Sequence, residues 1–300
     1  MTIRLPIIKT HKLFINGQFP RSESGRSLEV RGASGEVIAH ACNASRKDLR
    51  DAVVAARAAQ DAWSRRAAYN RGQIFYRMAE MLDAKRAEFV DLLNDTPAAG
   101  KTKPKPKPAR PDADREVSAS VDRLVAFAGW ADKYSQILGC HNPVNGPFYN
   151  FTVAEATGVV GIVAPDRPAL LAMVSLIAPA ICAGNTVVAL ASETTPLPAC
   201  VLAEVCATSD VPSGVVNILT GTRAELVPQF SEHREVDAVV AASIEPDHLA
   251  RLRLGAANNL KRVVTHALAD TDWYDDARCE SPWAIEPTVE MKTIWHPASA

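Results

Sequence analysis

The sequence predicts an α/β protein, because short, wholly apolar, β-branched runs alternate with apolar helical stretches through its second half. Runs at Val159–Val163, Thr186–Leu190, Val215–Thr220 and Asp237–Ala242 lack polar alternation, as strands buried on both faces do. Between them, Leu170–Cys182, Pro198–Ser209 and a shorter stretch near Ala224–Phe230 keep a helical period. Strands separated by helices pair in parallel, since only a long crossover returns the chain to the same end of a sheet. Pro198, in the first turn of its helix, removes an N–H that would be unsatisfied anyway.

The first half reads differently. Asn16-Gly17 between short apolar runs signals a hairpin, and Ser34-Gly35 turns the chain into the extended run EVIAHA (36–41). Ser45 and Asp48 have capping-box spacing and open a helix with Leu49, Val53, Ala56 and Ala59 on one face. A second helix is expected from Asn70 to Leu93, carrying Ile74, Met78, Met81, Leu82, Phe89 and Leu93 inward. Lys101–Pro111, KTKPKPKPARP, is expected to be an extended, solvated surface loop, with a docking arm for an acidic surface as the alternative. A third helix is expected over Asp114–Tyr134. Beyond Pro246 comes a helix with Leu249, Leu252, Leu254 and Leu260, then an aperiodic stretch. The run TVEMKTIWH (288–296) aligns Val289, Met291, Thr293 and Trp295 as a strand would.

Composition narrows the function classes. At 300 residues, 47% hydrophobic and with a formal net charge of −1, the chain can bury a large core and has no whole-molecule field for nucleic acid or anionic membrane. No run reaches the roughly 18 apolar residues of a membrane span, and no signal peptide is expected of MTIRLPIIKTHK. Six cysteines (Cys42, Cys140, Cys182, Cys200, Cys206, Cys279) show neither CxxC pairing nor metal spacing, and read as reduced thiols of a cytoplasmic protein. The seven histidines are scattered, so no metal is expected, and His233 and His266 read as structural.

Taken in order, FINGQ (14–18), AAYNRGQIFYRMAEML (67–82), GWADK (129–133), GVVGIVAP (158–165), PAICAGNTVVALASE (179–193), VPSGVVNILTG (211–221), HREVDAVV (233–240) and NNLKRV (258–263) form one spaced series. Over residues 12–264 the chain resembles the aldehyde dehydrogenase superfamily. The resemblance implies a Rossmann-like sheet with NAD(P) over the strands' carboxyl ends. On it, Pro165, Gly184, Asn185, Glu193 and Gly221 shape the cofactor cleft, with Glu193 a ribose acceptor. It also implies an oligomerisation hairpin, whose second arm GPFYNFTVAE (146–155) resembles, and a terminal assembly strand, which VEMKTIWHP (289–297) resembles. Tyr149, Phe151, Ile294 and Trp295 are then the expected subunit contacts.

The same resemblance exposes losses. Leu190 stands where the family's ribose-binding lysine is expected, and a leucine donates no hydrogen bond. Arg223 and Val227 replace glycines that admit the dinucleotide, and Ala241-Ala242-Ser243 replaces an FTGS segment. Pro165-Asp166-Arg167 stands for Pro-Trp-Asn, so Arg167 replaces the oxyanion-hole amide. Val264-Thr265-His266-Ala267-Leu268 stands for LELGGK, without its general base. The catalytic domain that carries the family's nucleophile is expected to be missing, leaving Cys279 as a weak substitute beside Arg278 and Glu280.

The expectation is a cofactor-domain remnant. It divides into N-terminal hairpin and helices (1–136), oligomerisation hairpin (137–157), nucleotide-binding core (158–264) and an irregular tail with a terminal strand (265–300). Trp273–Trp283 is expected to cap the surface that the catalytic domain would cover. The function this implies is a catalytically inactive auxiliary subunit, assembled with a full-length aldehyde dehydrogenase or with itself, binding NAD(P) weakly or not at all. Residual NAD(P)-dependent aldehyde oxidation and a nucleotide-binding regulatory module remain the alternatives.

Overall fold

The computed structural model describes residues 7–95 and 113–298; the Lys101–Pro111 reading therefore falls outside the described residues. The amino-terminal part pairs β1 (Thr10–His11), β2 (Ser27–Arg31) and β3 (Val37–Cys42) in the order β1–β3–β2. The expected Asn16-Gly17 turn forms with both residues at positive φ, 52° and 72°, where glycine carries no Cβ penalty. Helix α1 (Arg46–Ser64) starts from the capping box at Ser45 and Asp48.

The long second helix of the sequence reading is two helices, α2 (Ala68–Ala84) and α3 (Arg86–Asn94). The backbone breaks at Lys85, whose N–H turns back to the Leu82 carbonyl while its ammonium pairs with Glu204 at 2.8 Å and Glu88 at 3.0 Å. The third expected helix ends early, as α4 (Ala113–Trp130), and a separate short helix, α5 (Tyr134–Leu138), follows. A three-residue strand, β4 (Cys140–Asn142), and a nine-residue strand, β5 (Phe148–Ala156), follow.

The core is the parallel sheet that the apolar runs predict. It contains β6 (Val159–Val163), β7 (Thr186–Leu190), β8 (Val216–Leu219) and β9 (Ala238–Ala242), every residue of them buried. Helices α6 (Leu171–Cys182), α7 (Leu197–Thr208), α8 (Arg223–Glu232) and α9 (Pro246–Asn259) intervene. A fifth strand, β10 (Arg262–His266), pairs in parallel with β9; it lies wholly in the stretch read as aperiodic. Its Val263-Val264-Thr265 run was the available signal. The order β10–β9–β6–β7–β8 puts the topological switch between β6 and β9, the place where this fold class opens a crevice at the carboxyl ends.

Residues 267–288 join β10 to the last strand, β11 (Val289–Pro297), through single 3-10 turns and the short helix α10 (Asp276–Cys279). This connection caps α4 and α6. Arg123, with no exposed surface, donates to Ser175 Oγ at 2.6 Å and the Trp273 carbonyl at 3.1 Å, and Trp130 Nε1 donates to the Glu280 carbonyl at 2.6 Å. β11 then runs antiparallel to β5 over nine residue pairs, in a separate sheet ordered β11–β5–β4. The cysteines are all free; Cys140 is exposed and the other five are buried.

Candidate functional site

Gly184 and Asn185 do not reach the carboxyl-end crevice. They precede β7, at the amino ends of the strands, which corrects their assignment to the cofactor cleft. Gly184 takes a φ of 92° in the turn out of α6, and a Cβ there would approach the Ser64 backbone to 3.1 Å. The buried Asn185 amide accepts from Gly158 N at 2.9 Å and donates to the Ala180 and Thr288 carbonyls, each at 2.9 Å. It ties β6, α6 and the cap together, so its role is structural.

The wall of the crevice on the β6 side of the topological switch is built from the turns after β6, β7 and β8. Its centre is Asp166, which the sequence placed beside Arg167 without giving it a role. Asp166 accepts from the Glu193 and Thr194 backbone N–H groups at 3.0 and 3.3 Å and from Ser192 Oγ at 3.1 Å. Arg223, the first residue of α8, reaches across with both terminal nitrogens. It bonds Asp166 at 2.9 and 3.0 Å and the Ala164 carbonyl at 2.9 Å, with its side chain only 12% exposed. Burial alone would raise the Asp166 carboxyl, but the Arg223 guanidinium and the donated N–H bonds hold it below the ordinary carboxylate value.

Neighbouring helix ends are occupied in the same way. Glu193, exposed at the rim, accepts from Arg223 N at 3.0 Å and so takes the first N–H of α8. Glu116, from α4, accepts from Leu170 N at 2.8 Å and Leu171 N at 3.2 Å at the start of α6. Burial outweighs these bonds and pushes the Glu116 carboxyl up. Helix amino termini attract anions, and here Glu193 and Glu116 satisfy such N–H groups, while Asp166 takes those of the turn after β7. The signal for this was present, since acidic residues stand at all three positions, but only the fold shows which N–H each one meets.

The remaining expected site residues divide between core and rim. Pro165 and Leu190 are buried at the ends of β6 and β7. Val227 packs wholly inside the core beneath α8, which corrects the expectation that its Cβ obstructs the crevice. A Cβ on Gly221 would meet Leu226 Cδ1 at 3.0 Å and Ala44 N at 3.3 Å, so the chain's own packing uses the missing side chain. Ser243 sits exposed at a φ of 48° after β9, its N–H donating to the His266 carbonyl at 2.9 Å. Arg167 and Asp166 share a small cleft of about 50 Å³ with Glu116 and Asp270. Thr265 is exposed on β10, paired with Ala241.

Cys279 lies apart from this crevice, in the cap. Its thiol donates to the Asp272 carbonyl at 3.6 Å, and burial pushes its pKa up despite the nearby Arg123. That setting disfavours the thiolate a nucleophile needs. Among the described residues no group of His, Cys, Asp and Glu side chains suits a metal, and no helix is long and apolar enough to cross a membrane.

Comparison with known proteins accords with this architecture. The sequence model of the Aldehyde dehydrogenase family matches residues 20–265. Mitochondrial benzaldehyde dehydrogenase of Antirrhinum majus is 33% identical over 265 residues, covering 87% of this chain and 48% of the relative. Mitochondrial aldehyde dehydrogenase of Rattus norvegicus is 30% identical over 286 residues, covering 94% and 53%. The NAD+ complex of a Bacillus cereus aldehyde dehydrogenase superposes with a TM-score of 0.77 at 27% identity, covering 85% of this chain and 50% of that one. The chain thus spans about half the length of the curated relatives it matches. With the family model covering most of the sequence, the chain belongs to the aldehyde dehydrogenase family.

Proposed function

We propose that this chain is a catalytically silent member of the family that acts by assembling, through its β11–β5 sheet, with a full-length aldehyde dehydrogenase or with copies of itself. The observation that carries the reading is the closed crevice. Arg223 spans it from α8 to Asp166 and Ala164, while Glu193 is spent on Arg223 N. The residues present do not fit a dinucleotide. A pyrophosphate there would meet three carboxylates, Glu116, Asp166 and Glu193, which already hold the N–H groups of two helix starts and of the turn after β7. The Bacillus cereus relative is described as an NAD+ complex; in this chain we infer weak NAD(P) binding or none.

The reaction groups are dispersed as well. Arg167 and Thr265 stand in place of an amide and a carboxylate, and the Cys279 thiol is buried against a carbonyl. Support for assembly comes from β11, which has one strand neighbour among the described residues and shows aromatic side chains on its sheet. An unpaired edge of this kind recruits another chain. The partition at residues 136, 157 and 264 and a cytoplasmic setting belong to the same reading.

The test is direct. The purified chain should give no saturable NAD or NADP binding at millimolar cofactor and no cofactor-dependent aldehyde oxidation. Turnover that Cys279→Ala abolishes would overturn the proposal in favour of a working oxidoreductase.

A further inference from the structure

A cavity of about 180 Å³ lies between α6, the ends of β9 and β10, and the 267–288 cap. It is separate from the Asp166–Arg223 crevice and shares none of its residues. Its walls are mostly apolar, with Leu176 and Pro179 from α6, Val240 from β9 and Leu268 below the cap. In size it exceeds an engineered cavity of roughly 150 Å³ that holds benzene, so it admits one ring or branched chain bearing a small polar group.

The polar lining is one-sided. Trp273 is 2% exposed, and its indole N–H is buried with no acceptor. Leaving such a donor unpaired is costly, and native interiors rarely do so. Arg278 also lines the cavity, and among the described residues its guanidinium has no carboxylate partner. Ser175 and Thr288, the hydroxyls of the lining, already donate to the Leu171 and Ile285 carbonyls. Burial first, and then the Arg278 charge, lower the His266 pKa, so that ring faces the space uncharged. The lining therefore combines an indole whose N–H is unpaired, an exposed cation and apolar walls, with no Asp or Glu among the lining residues.

We propose that this cavity binds a small monocarboxylate with an aromatic or branched apolar body, its carboxylate received by Arg278 and the Trp273 indole N–H. The apolar body would lie against Leu176, Val240 and Leu268. Arginine suits the role because its planar fork matches a carboxylate's two oxygens. Because the site is formed by the cap, it is independent of whether the chain assembles or binds a nucleotide.

The experiment is a fluorine NMR titration of 4-fluorobenzoate into the full chain, with 4-fluorotoluene as the probe lacking the carboxylate. Saturable binding is expected for the acid. Arg278→Gln, a surface change that leaves the fold alone, should weaken it about tenfold, the scale of one charge-assisted contact. Trp273→Phe keeps the ring and removes the donor, and should weaken it several-fold. Three results would each overturn the assignment: no saturable binding at millimolar probe, affinity unchanged in both variants, or 4-fluorotoluene binding as tightly as the acid.

Discussion

In the five-stranded sheet β6, β7, β8 and β9 bury every residue, whereas β11 buries its first residue and exposes its last seven. Both sheets are made of β-prone residues, so propensity does not separate them; what lies on their faces does. Helices from both sides cover the central sheet. The outer sheet leaves Phe148, Tyr149, Met291, Ile294 and Trp295 between 40% and 58% exposed, with Trp295 edge-on to Phe148 at 5.7 Å and Tyr149 stacked on His141 at 4.8 Å. These apolar side chains sit on both faces of β11 and β5, with β11 at the edge of its sheet among the described residues, and on our reading that surface serves assembly. The difference teaches that stability resides in the first sheet and, on our reading, function in the second.

The comparison breaks first if the central region does not dominate stability. The alkaline limb tests this through the buried titratable groups. Burial pushes the thiols of Cys182, Cys200 and Cys206 up to about 12 from an ordinary 9.0. An acid raised by folding stabilises below its unfolded value, and that contribution is lost as pH rises from 9 toward 12. At pH 10 the three together should cost about 4 kcal/mol relative to pH 7. Lys261, lowered by burial to about 8, works in the opposite direction and returns about 2.5 kcal/mol over the same interval, so the net loss from these four groups is about 2 kcal/mol. Urea unfolding at the two pH values checks this.

Asn185→Ala should destabilise by about 3 kcal/mol, because it removes three buried hydrogen bonds and strands the Gly158 N–H. Denaturant midpoints against wild type measure it. Arg223→Met should cost less, about 1–2 kcal/mol, by leaving the Asp166 carboxylate without its fork. Since the folded Asp166 value is depressed, its contribution is present above the unfolded value of about 4 and lost as pH falls through the folded one. The variant should therefore show a shallower acid limb in pH-dependent unfolding. The smallest stability effect is expected in the outer sheet. Ile294→Glu with Trp295→Glu should shift the isolated chain's stability by only about 0.5 kcal/mol, as exposed substitutions do, while removing assembly.

Much of this architecture was legible from sequence, because apolar runs such as Val159–Val163 and Thr186–Leu190 can only be strands buried on two faces. The Ser45–Asp48 cap and the Asn16-Gly17 turn carried their own local chemistry. β10 was missed because its polar Arg262, Thr265 and His266 blur the apolar run; it pairs on one side only, with β9. The α2–α3 break at Lys85 is a tertiary effect, fixed by a glutamate 119 positions away. At the site, the family pattern flagged Arg223 as a departure and kept Glu193 as a ribose acceptor. It did not reveal that they bond each other and Asp166, since those contacts exist only when three separate turns converge. Val227, flagged by the same pattern, proved to be core.

Native mass spectrometry of the chain captured from its own cells through a tag on Met1, in wild type and in the Ile294→Glu, Trp295→Glu variant, tests assembly through β11. Wild type should carry a full-length aldehyde dehydrogenase, or further copies of itself, and the variant, still folded, should carry neither. A wild-type chain recovered as a lone monomer, or a variant with an unchanged complex mass, would contradict assembly through this strand.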